Sequence, residues 1–412
     1  MAAPVQYLLV THIPFARDAM GNAVVDGLWA RDLIGLTKSL GPVRVAAPEL
    51  ASDGALQTWG SHSETLSASS GIVFRGFPPM KSSRDFLNSL KIRRILREEV
   101  SKADLVHTSN FFAPYTCLYA AHDIAVEMGK KTLFVIAEDF HDMLEWEWVR
   151  PTQGITRWRR ERELLALDRS AGKRAGTASL TLLHTPAAVE RYRLAARNSM
   201  MIRQPGHETS QIISEEDLNS RLASLSEPRP LQLTAACRHS ALKGLDLLIR
   251  ALGLLKDRGV RVDLKLYGSG AQTPQLRRLA EQLGVDDRVL FPGSLAAGEE
   301  LYAALRQSDL FLMPHRTTDF GRAFFDAMAS GLPVVAFRTP ASATTVYDGL
   351  DGILCQLDDV QGLAERIASL DRDRAQLHSL SRGARLRALE NTRTEWFRIR
   401  AAWTMSLLNE QG

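Results

Sequence analysis

LFLMPHRTTDFGRAFFDAMASGLPVVAF, residues 310 to 337, is the stretch on which the fold turns. An apolar run ends at Pro314, and a polar loop holding Thr318 and Asp319 leads to Phe320, Gly321 and Arg322. A helix-like segment carrying Asp326 follows, and Ser330-Gly331-Leu332-Pro333 stops it ahead of a second apolar run. Glycine suits the end of a helix, and proline cannot extend one. The pattern predicts strand, loop, helix, strand, with the helix N-terminus aimed beyond the strand ends. Bare backbone at Gly321 and the positive end of a helix dipole together make a seat for an anion. Asp326, inside the helix, is placed to accept hydrogen bonds from ligand hydroxyls. A phosphate beside a carboxylate that reads a sugar hydroxyl is what a nucleotide-bearing ligand requires.

The same rhythm runs outward in both directions. In the first half, Val5 to Val10, Val43 to Ala47, Leu105 to Thr108, Leu133 to Ala137 and Leu180 to His184 read as short strands. Helical segments such as Asn22 to Leu40 and Tyr119 to Met128 lie between them. The second half repeats this, with strands near Leu231 to Ala236, Leu264 to Tyr267, Val289 to Phe291, Leu310 to Met313 and Pro333 to Phe337. Its helices cover Gly244 to Arg258, Pro274 to Leu283 and Glu299 to Gln307. Such alternation predicts an α/β fold of two doubly wound parallel sheets covered on both faces. Asn198 to Pro230, rich in Pro, Ser, Glu and Asn, reads as irregular and places the domain boundary near Pro205-Gly206. The domains are then 1–205 and 206–394. The segment 395–412 forms a helix that returns to the first domain, with Phe397, Ala401, Met405 and Leu408 at helical spacing.

Length and composition fit this reading. A chain of 412 residues holds two domains with separate cores. Hydrophobic content of 45% against 24% charged excludes disordered and fibrous classes. No run approaches the roughly eighteen apolar residues of a membrane span. The start, MAAPVQYLLV, has no basic segment before its apolar run and reads as a first strand, not a signal peptide. Cys117, Cys237 and Cys355 sit apart in apolar segments, as reduced core residues of a cytoplasmic protein do. The net charge of +4 is mild, but basic residues cluster at Lys91 to Arg97 and at Arg157 to Arg162. Both read as solvated helix faces or, alternatively, as peripheral contacts to an anionic membrane. No nucleic-acid motif accompanies them.

Two constellations carry chemistry in the second half. Leu231 to Cys237 runs into Arg238-His-Ser-Ala-Leu-Lys243-Gly244, placing two cations between a strand end and a helix start. Cations are unfavourable at the positive end of a helix unless an anion receives them. Arg238 and Lys243 are therefore candidates to clamp a diphosphate. Tyr267-Gly268-Ser269-Gly270 follows the next strand, but Thr273 stands where the third glycine of a dinucleotide fingerprint belongs. No acidic residue follows at the distance that reads an NAD ribose, so Gly268 is read as a tight turn passing close to a ligand.

Together these residues resemble glycosyltransferase family 4, the retaining nucleotide-sugar enzymes of GT-B fold. The resemblance is specific over the second domain, from Arg238/Lys243-Gly244 through Val289 to Gly293 and Gly349-Leu-Asp-Gly352. It implies a GT-B architecture, two Rossmann-like domains facing across a cleft, with the C-terminal helix crossing back. The family carries two glutamates separated by seven residues, the first of them two positions before a Phe-Gly pair. Here the first is Thr318, beside Asp319, and the second is kept as Asp326, which in the family grips the nucleotide ribose. Another family glutamate corresponds to Thr344. In the first domain the resemblance carries over to Gly21-Asn22, a small-residue loop near the reacting phosphate. It also carries to His141, as the histidine that touches the donor sugar. Glu138, Asp139 and Asp142 are equally placed to meet hydroxyls. Arg203 to His207 stands at the hinge.

The resemblance implies a UDP- or GDP-sugar donor and a sugar, lipid-linked or protein acceptor, in bacterial-type glycan or glycoconjugate synthesis. Departure of a diphosphate needs negative charge stabilised more in the transition state than before it. Arg238, Lys243 and backbone donors near Gly321 would supply this without a metal or other cofactor, since no Asp-x-Asp pair or His cluster suggests one. The rival readings are a GT-B nucleotide-sugar epimerase, a non-catalytic nucleotide-sugar-binding protein and, more distantly, a pyridoxal-dependent phosphorylase, for which no lysine motif is seen.

Overall fold

A computed structural model describes residues 5–53, 56, 62–111, 116–137, 140–225, 227–296, 298–316 and 321–409, apart from the side chains at 68, 83, 87, 88, 140 and 142. The chain divides into two compact units. One holds residues 1–184, 188–202 and 396–412, and the other holds 185–187 and 203–395.

Unit 1 is built on a seven-stranded parallel sheet. Its order is Ser199–Met201, Leu180–Leu183, Lys131–Ile136, Leu105–Ser109, Tyr7–Val10, Val43–Pro48 and Ile72–Phe77. Tyr7–Val10 is wholly buried and pairs with a strand on each side, which is why it reads as a continuous apolar run. One layer of helices packs Ile92, Leu96, Leu118, Ala121, Ala171 and Ala175 on one face of the sheet. The other face is covered by Trp29, Leu33 and Leu36 together with Leu407.

The helix expected over Asn22 to Leu40 is shorter. Ala23–Asp26 is a strand in a small antiparallel sheet with Ala16–Arg17 and Ser63–Leu66. Val24 and Val25 are β-branched, and the Asp26 carboxylate accepts from the amides of Leu28 and Trp29, so the helix begins only at Gly27. The Ile72–Phe77 edge strand has no sequence expectation because Arg75 and Gly76 break its apolar run. Asn198 to Pro230 is also more ordered than its composition suggests. Ser214 caps a helix over Glu215–Ser224, acids fill its first turn, and Leu218 and Leu222 are buried four apart.

Unit 2 holds a six-stranded parallel sheet, ordered Val289–Gly293, Val262–Tyr267, Leu231–Ala236, Leu310–Met313, Val334–Phe337 and Gly352–Cys355. Helices Leu245–Asp257, Thr273–Gln282 and Val360–Arg372 cover one face through Leu248, Leu252, Leu276 and Ile367. Ala323–Ala329 and Arg374–Glu390 cover the other through Phe325, Met328, Ala384 and Ala388.

The last helix, Arg393–Asn409, packs into unit 1 from Trp396 onward. Phe397 lies against Gly35, where an added Cβ would meet the ring at 2.7 Å. Ala401, Thr404 and Leu407 are the buried positions and Met405 is only half-buried, so the contact stripe is rotated from the expected Met405 to Leu407. Arg400 forces that register by reaching inward to the Tyr7 hydroxyl at 3.4 Å and His107 Nδ1 at 3.2 Å.

Candidate nucleotide-sugar site

In unit 2 the chain runs from Leu231–Ala236 to strands on one side of it, then returns to build Leu310–Met313 on the other. The carboxyl ends of these two neighbouring strands flank the topological switch point, the place where doubly wound sheets bind ligands. Arg238 follows the first of them and Pro314 to Arg316 the second.

Arg238 is exposed, and no ion pair holds it among the described residues. Lys243 ends a single 3-10 turn, Ala241–Lys243, and Gly244 then opens the helix Leu245–Asp257 at a φ of 62°. A Cβ at Gly244 would fall well inside contact distance of the Pro314 carbonyl oxygen, so only glycine brings this turn against the neighbouring strand end. Arg316 fastens the pair of loops together. Its guanidinium donates to both oxygens of Asp246 at 3.2 and 3.1 Å, to Asp358 at 3.0 Å and to the Ala241 carbonyl at 3.1 Å. Burial would lower its pKa, but the two carboxylates outweigh that and raise it.

Gly268 has a φ of 114°, and a side chain there would collide with the Cys237 carbonyl. A Cβ at Gly270 would come within 2.5 Å of the His239 carbonyl oxygen. His239 is fully buried, bonded through Nδ1 to Thr273 Oγ1 at 2.9 Å, and burial lowers its pKa. The two glycines thus bring backbone against backbone under Arg238, and Thr273 acts there as a clamp in place of a third glycine.

Thr318, Asp319 and Phe320 lie outside the described residues. A Cβ added at Gly321 would collide with Met313 Cε and lie 3.8 Å from His315 Cε1, and Arg322 is exposed at the start of the helix Ala323–Ala329. Asp326 is half-buried and accepts from the Tyr302 hydroxyl at 3.0 Å. Gly206 packs beside both, since a Cβ there would meet Arg322 Nη2 at 3.0 Å and Asp326 Oδ1 at 3.1 Å. The hinge residues are structural: Arg203 donates to the Thr344 carbonyl at 2.7 Å, and His207 Nε2 bonds the Ala388 carbonyl at 2.9 Å. Unit 2 therefore gathers Arg238, Lys243, Gly268, Gly321, Arg322 and Asp326 around the carboxyl ends of its sheet.

The unit 1 candidates do not cluster in that way. Gly21 and Asn22 close a hairpin turn in which Asp18 accepts from the Asn22 amide at 2.8 Å and Arg17 donates to the Gly21 carbonyl at 2.9 Å. His141 follows a different strand and bonds Asp168 Oδ2 through Nδ1 at 2.6 Å. Asp168 also accepts from Tyr192 at 3.1 Å and Arg191 at 3.3 Å. Burial would raise its pKa, yet these partners, His141 foremost, hold it below the usual carboxylate range. A carboxylate on Nδ1 fixes the ring, and Nε2 lies 3.7 Å from the Glu145 carboxylate. Glu138, Asp139 and the side chain of Asp142 lie outside the described residues. Asp168, Tyr302 and Arg316 carry no motif in the sequence, being separated from their partners by 27, 24 and 70 positions.

Residues 231–373 match the family model described as Glycosyl transferases group 1. Over those residues, about a third of its length, the chain is similar to the group 1 glycosyl transferases. A GDP-mannose-dependent alpha-(1-6)-phosphatidylinositol monomannoside mannosyltransferase of Mycolicibacterium smegmatis is 32% identical over 215 residues, 50% of this chain and 55% of that protein. A D-inositol 3-phosphate glycosyltransferase of the same organism is 37% identical over 35% of this chain and 33% of its own. The chain thus spans about half the length, or less, of the curated relatives it matches. Among solved structures, Anabaena HepE in complex with UDP has a TM-score of 0.69 at 18% identity, covering 98% of this chain and all of that one. WaaG, a glycosyltransferase involved in lipopolysaccharide biosynthesis, has a TM-score of 0.64 at 15% identity over 96% and 98% of the two chains. At such identities the likeness is one of fold, and that fold is GT-B. The matched stretch contains Arg238, Lys243, Gly268, Gly321, Arg322 and Asp326.

Proposed function

We propose that this chain is a retaining glycosyltransferase that moves a sugar from a nucleoside-diphosphate sugar to an acceptor hydroxyl without a metal. The observation that supports the reading is that Arg238, the Lys243-Gly244 turn and the helix carrying Asp326 all follow the carboxyl ends of the two neighbouring strands at the switch point of the unit 2 sheet. A diphosphate there would meet two cations, and a ribose would meet a carboxylate already oriented by Tyr302. As the sugar–phosphate bond breaks, charge grows on the phosphate oxygens, and preorganised cations stabilise that state most. The acceptor oxygen forms its bond to the anomeric carbon on the face the diphosphate leaves, and its proton passes to the leaving phosphate oxygen. His141, held through Nδ1 by Asp168, would offer Nε2 to a sugar hydroxyl. The names of the relatives favour a UDP- or GDP-sugar donor and a glycolipid or polyol acceptor of bacterial glycan synthesis.

The test is incubation with UDP- and GDP-sugars, with and without candidate acceptors and with EDTA present. Free nucleoside diphosphate should appear with acceptor, survive EDTA, and fall about ten- to a thousandfold in Arg238→Ala and Lys243→Ala. An isomerised sugar nucleotide would make the chain an epimerase. Binding without turnover for every donor would make it a binding protein.

A further inference from the structure

At the amino ends of the two central strands of the unit 2 sheet, opposite the ends that Arg238 and Pro314 follow, three arginines line one cavity. Arg221 comes from the helix Glu215–Ser224, Arg229 stands just before the strand Leu231–Ala236, and Arg306 closes the helix Glu299–Leu305. The cavity measures about 380 Å³, within the roughly 300–1,000 Å³ of small-ligand sites. Among the described residues Asp309, 2% exposed, is the one carboxylate on its wall. That carboxylate is already committed. Its oxygens accept from Arg229 at 2.7 and 2.8 Å, and one of them also takes the Gln232 amide at 2.8 Å.

Arg221 and Arg306 are not matched in this way. Among the described residues Arg221 bridges to no carboxylate. Its Nη1 donates to the Ser330 carbonyl at 2.7 Å and its Nη2 to that of Gly331, and its buried Nε–H meets no acceptor. Closing the end of the helix Ala323–Ala329 accounts for the two Nη groups alone. Arg306 donates to the Gln211 carbonyl at 2.9 Å and to Glu299 at 3.2 Å, a carboxylate 70% exposed and so screened by water. Its Nε–H too is buried without an acceptor among the described residues. Burial lowers the pKa of Arg221 to about 10; Asp309 opposes that shift, and Arg229 and Arg306 add to it. Arg221 is therefore still a cation at neutral pH, and the three guanidinium groups act on one another. Folding has set three cations around one committed carboxylate, an arrangement that burial penalises unless a further anion joins it.

We propose that this cavity binds a phosphate dianion, free or as the phosphate of a small monoester, held chiefly by Arg221 and Arg306. Guanidinium forks arriving from separate elements suit a tetrahedral oxyanion, whose oxygens point in several directions, better than a planar carboxylate. Ser224 and Gln232 add polar atoms to the wall beside the charge. The strand Leu231–Ala236 has six residues, which at ~3.3 Å each put the cavity about 20 Å from Arg238 at its other end. The site is thus separate from the strand ends where a donor diphosphate would be held, and it does not depend on the glycosyl-transfer reading.

The experiment is calorimetric titration of the full chain with inorganic phosphate and with glycerol phosphate, at an ionic strength held constant with sodium chloride. The wild type should bind saturably, in the millimolar range or tighter. Arg306→Gln and Arg221→Gln should each weaken binding about ten- to a hundredfold, as loss of a charge-assisted contact does. Arg306→Lys, which keeps the charge without the fork, should lose less. Arg238→Ala should retain the binding, because it alters only the far end of the strand. If glycerol phosphate binds more tightly than phosphate, the occupant is a phosphorylated small molecule; otherwise it is free phosphate. Circular dichroism checks that each variant folds. Should Arg221→Gln unfold for want of its hold on Ser330 and Gly331, Arg306→Gln decides. No saturable binding by the wild type, unchanged binding in folded Arg306→Gln, or loss of binding in Arg238→Ala would overturn the proposal.

Discussion

Gly244→Ala separates two costs that usually arrive together. At a φ of 62° alanine is strained by about 1–2 kcal/mol, and its Cβ must also push the Pro314 carbonyl away, a further ~1–3 kcal/mol of overpacking. For a unit of this size the sum of about 2–5 kcal/mol lowers the melting midpoint by roughly 4–20 °C. The displaced turn carries Lys243, so the variant should also lose one charge-assisted contact to a diphosphate, about 1.5–3 kcal/mol or ten- to a hundredfold in affinity for UDP or GDP. Gly259→Ala is the control. Its φ is 73° but nothing lies within 4 Å of the added Cβ, so it carries the backbone strain alone. The pair is read by calorimetric melting and by titration with both nucleotides. Gly259→Ala should melt slightly lower and bind normally, and Gly244→Ala should lose on both counts. A destabilised Gly244→Ala that binds nucleotide as tightly as wild type would refute the placement of Lys243 on the phosphates.

Asp326→Asn should weaken nucleotide binding about ten- to a hundredfold with less effect on turnover at saturation. Tyr302→Phe, which removes the 3.0 Å bond to Asp326, should show a smaller loss of the same kind by titration. Asp168→Asn should leave nucleotide affinity unchanged and lower turnover by about tenfold or more, because His141 loses the acceptor on Nδ1; initial rates at saturating donor decide it. Burial, with the Arg400 charge adding to it, holds His184 at a pKa of about 4, so the folded state keeps it neutral. The unfolded chain takes up that proton near pH 6.5, so stability is complete above this pH and falls by up to ~3 kcal/mol as pH drops toward 4. Melting midpoints against pH should therefore fall less steeply in His184→Gln than in wild type.

The second unit is legible chiefly where its central strands, Leu310–Met313 and Val334–Phe337, are buried along their length and stand out as unbroken apolar runs. Leu231–Ala236 and Leu310–Met313 were placed to the residue. The first unit was harder where hairpin and helix share one composition: Ala23–Asp26 reads as helix until Ser63–Leu66 pairs with it from far along the chain. Within the candidate site, the cations and glycines announce themselves through local spacing. The residues that hold them still, Arg316 on Asp246 and Tyr302 on Asp326, act through tertiary contacts that no window of sequence contains. The glycine at 268 shows a further limit. Its need for a positive φ is visible in sequence, but the carbonyl that enforces it belongs to Cys237 on the adjacent strand end.

The closing helix has a consequence for the order in which the protein is made. Unit 1 takes Phe397, Ala401 and Leu407 from residues translated only after all of unit 2. At ~5–20 residues per second, the interval between Ile202 and Trp396 is on the order of 10–40 s. For that time the nascent first unit carries an uncovered slot beside Gly35, and Tyr7 and His107 await Arg400. The second unit, contiguous in sequence apart from residues 185–187, faces no such delay. On the ribosome the usual N-to-C order of domain completion is thereby reversed, and the half of the protein begun first is the last to be sealed.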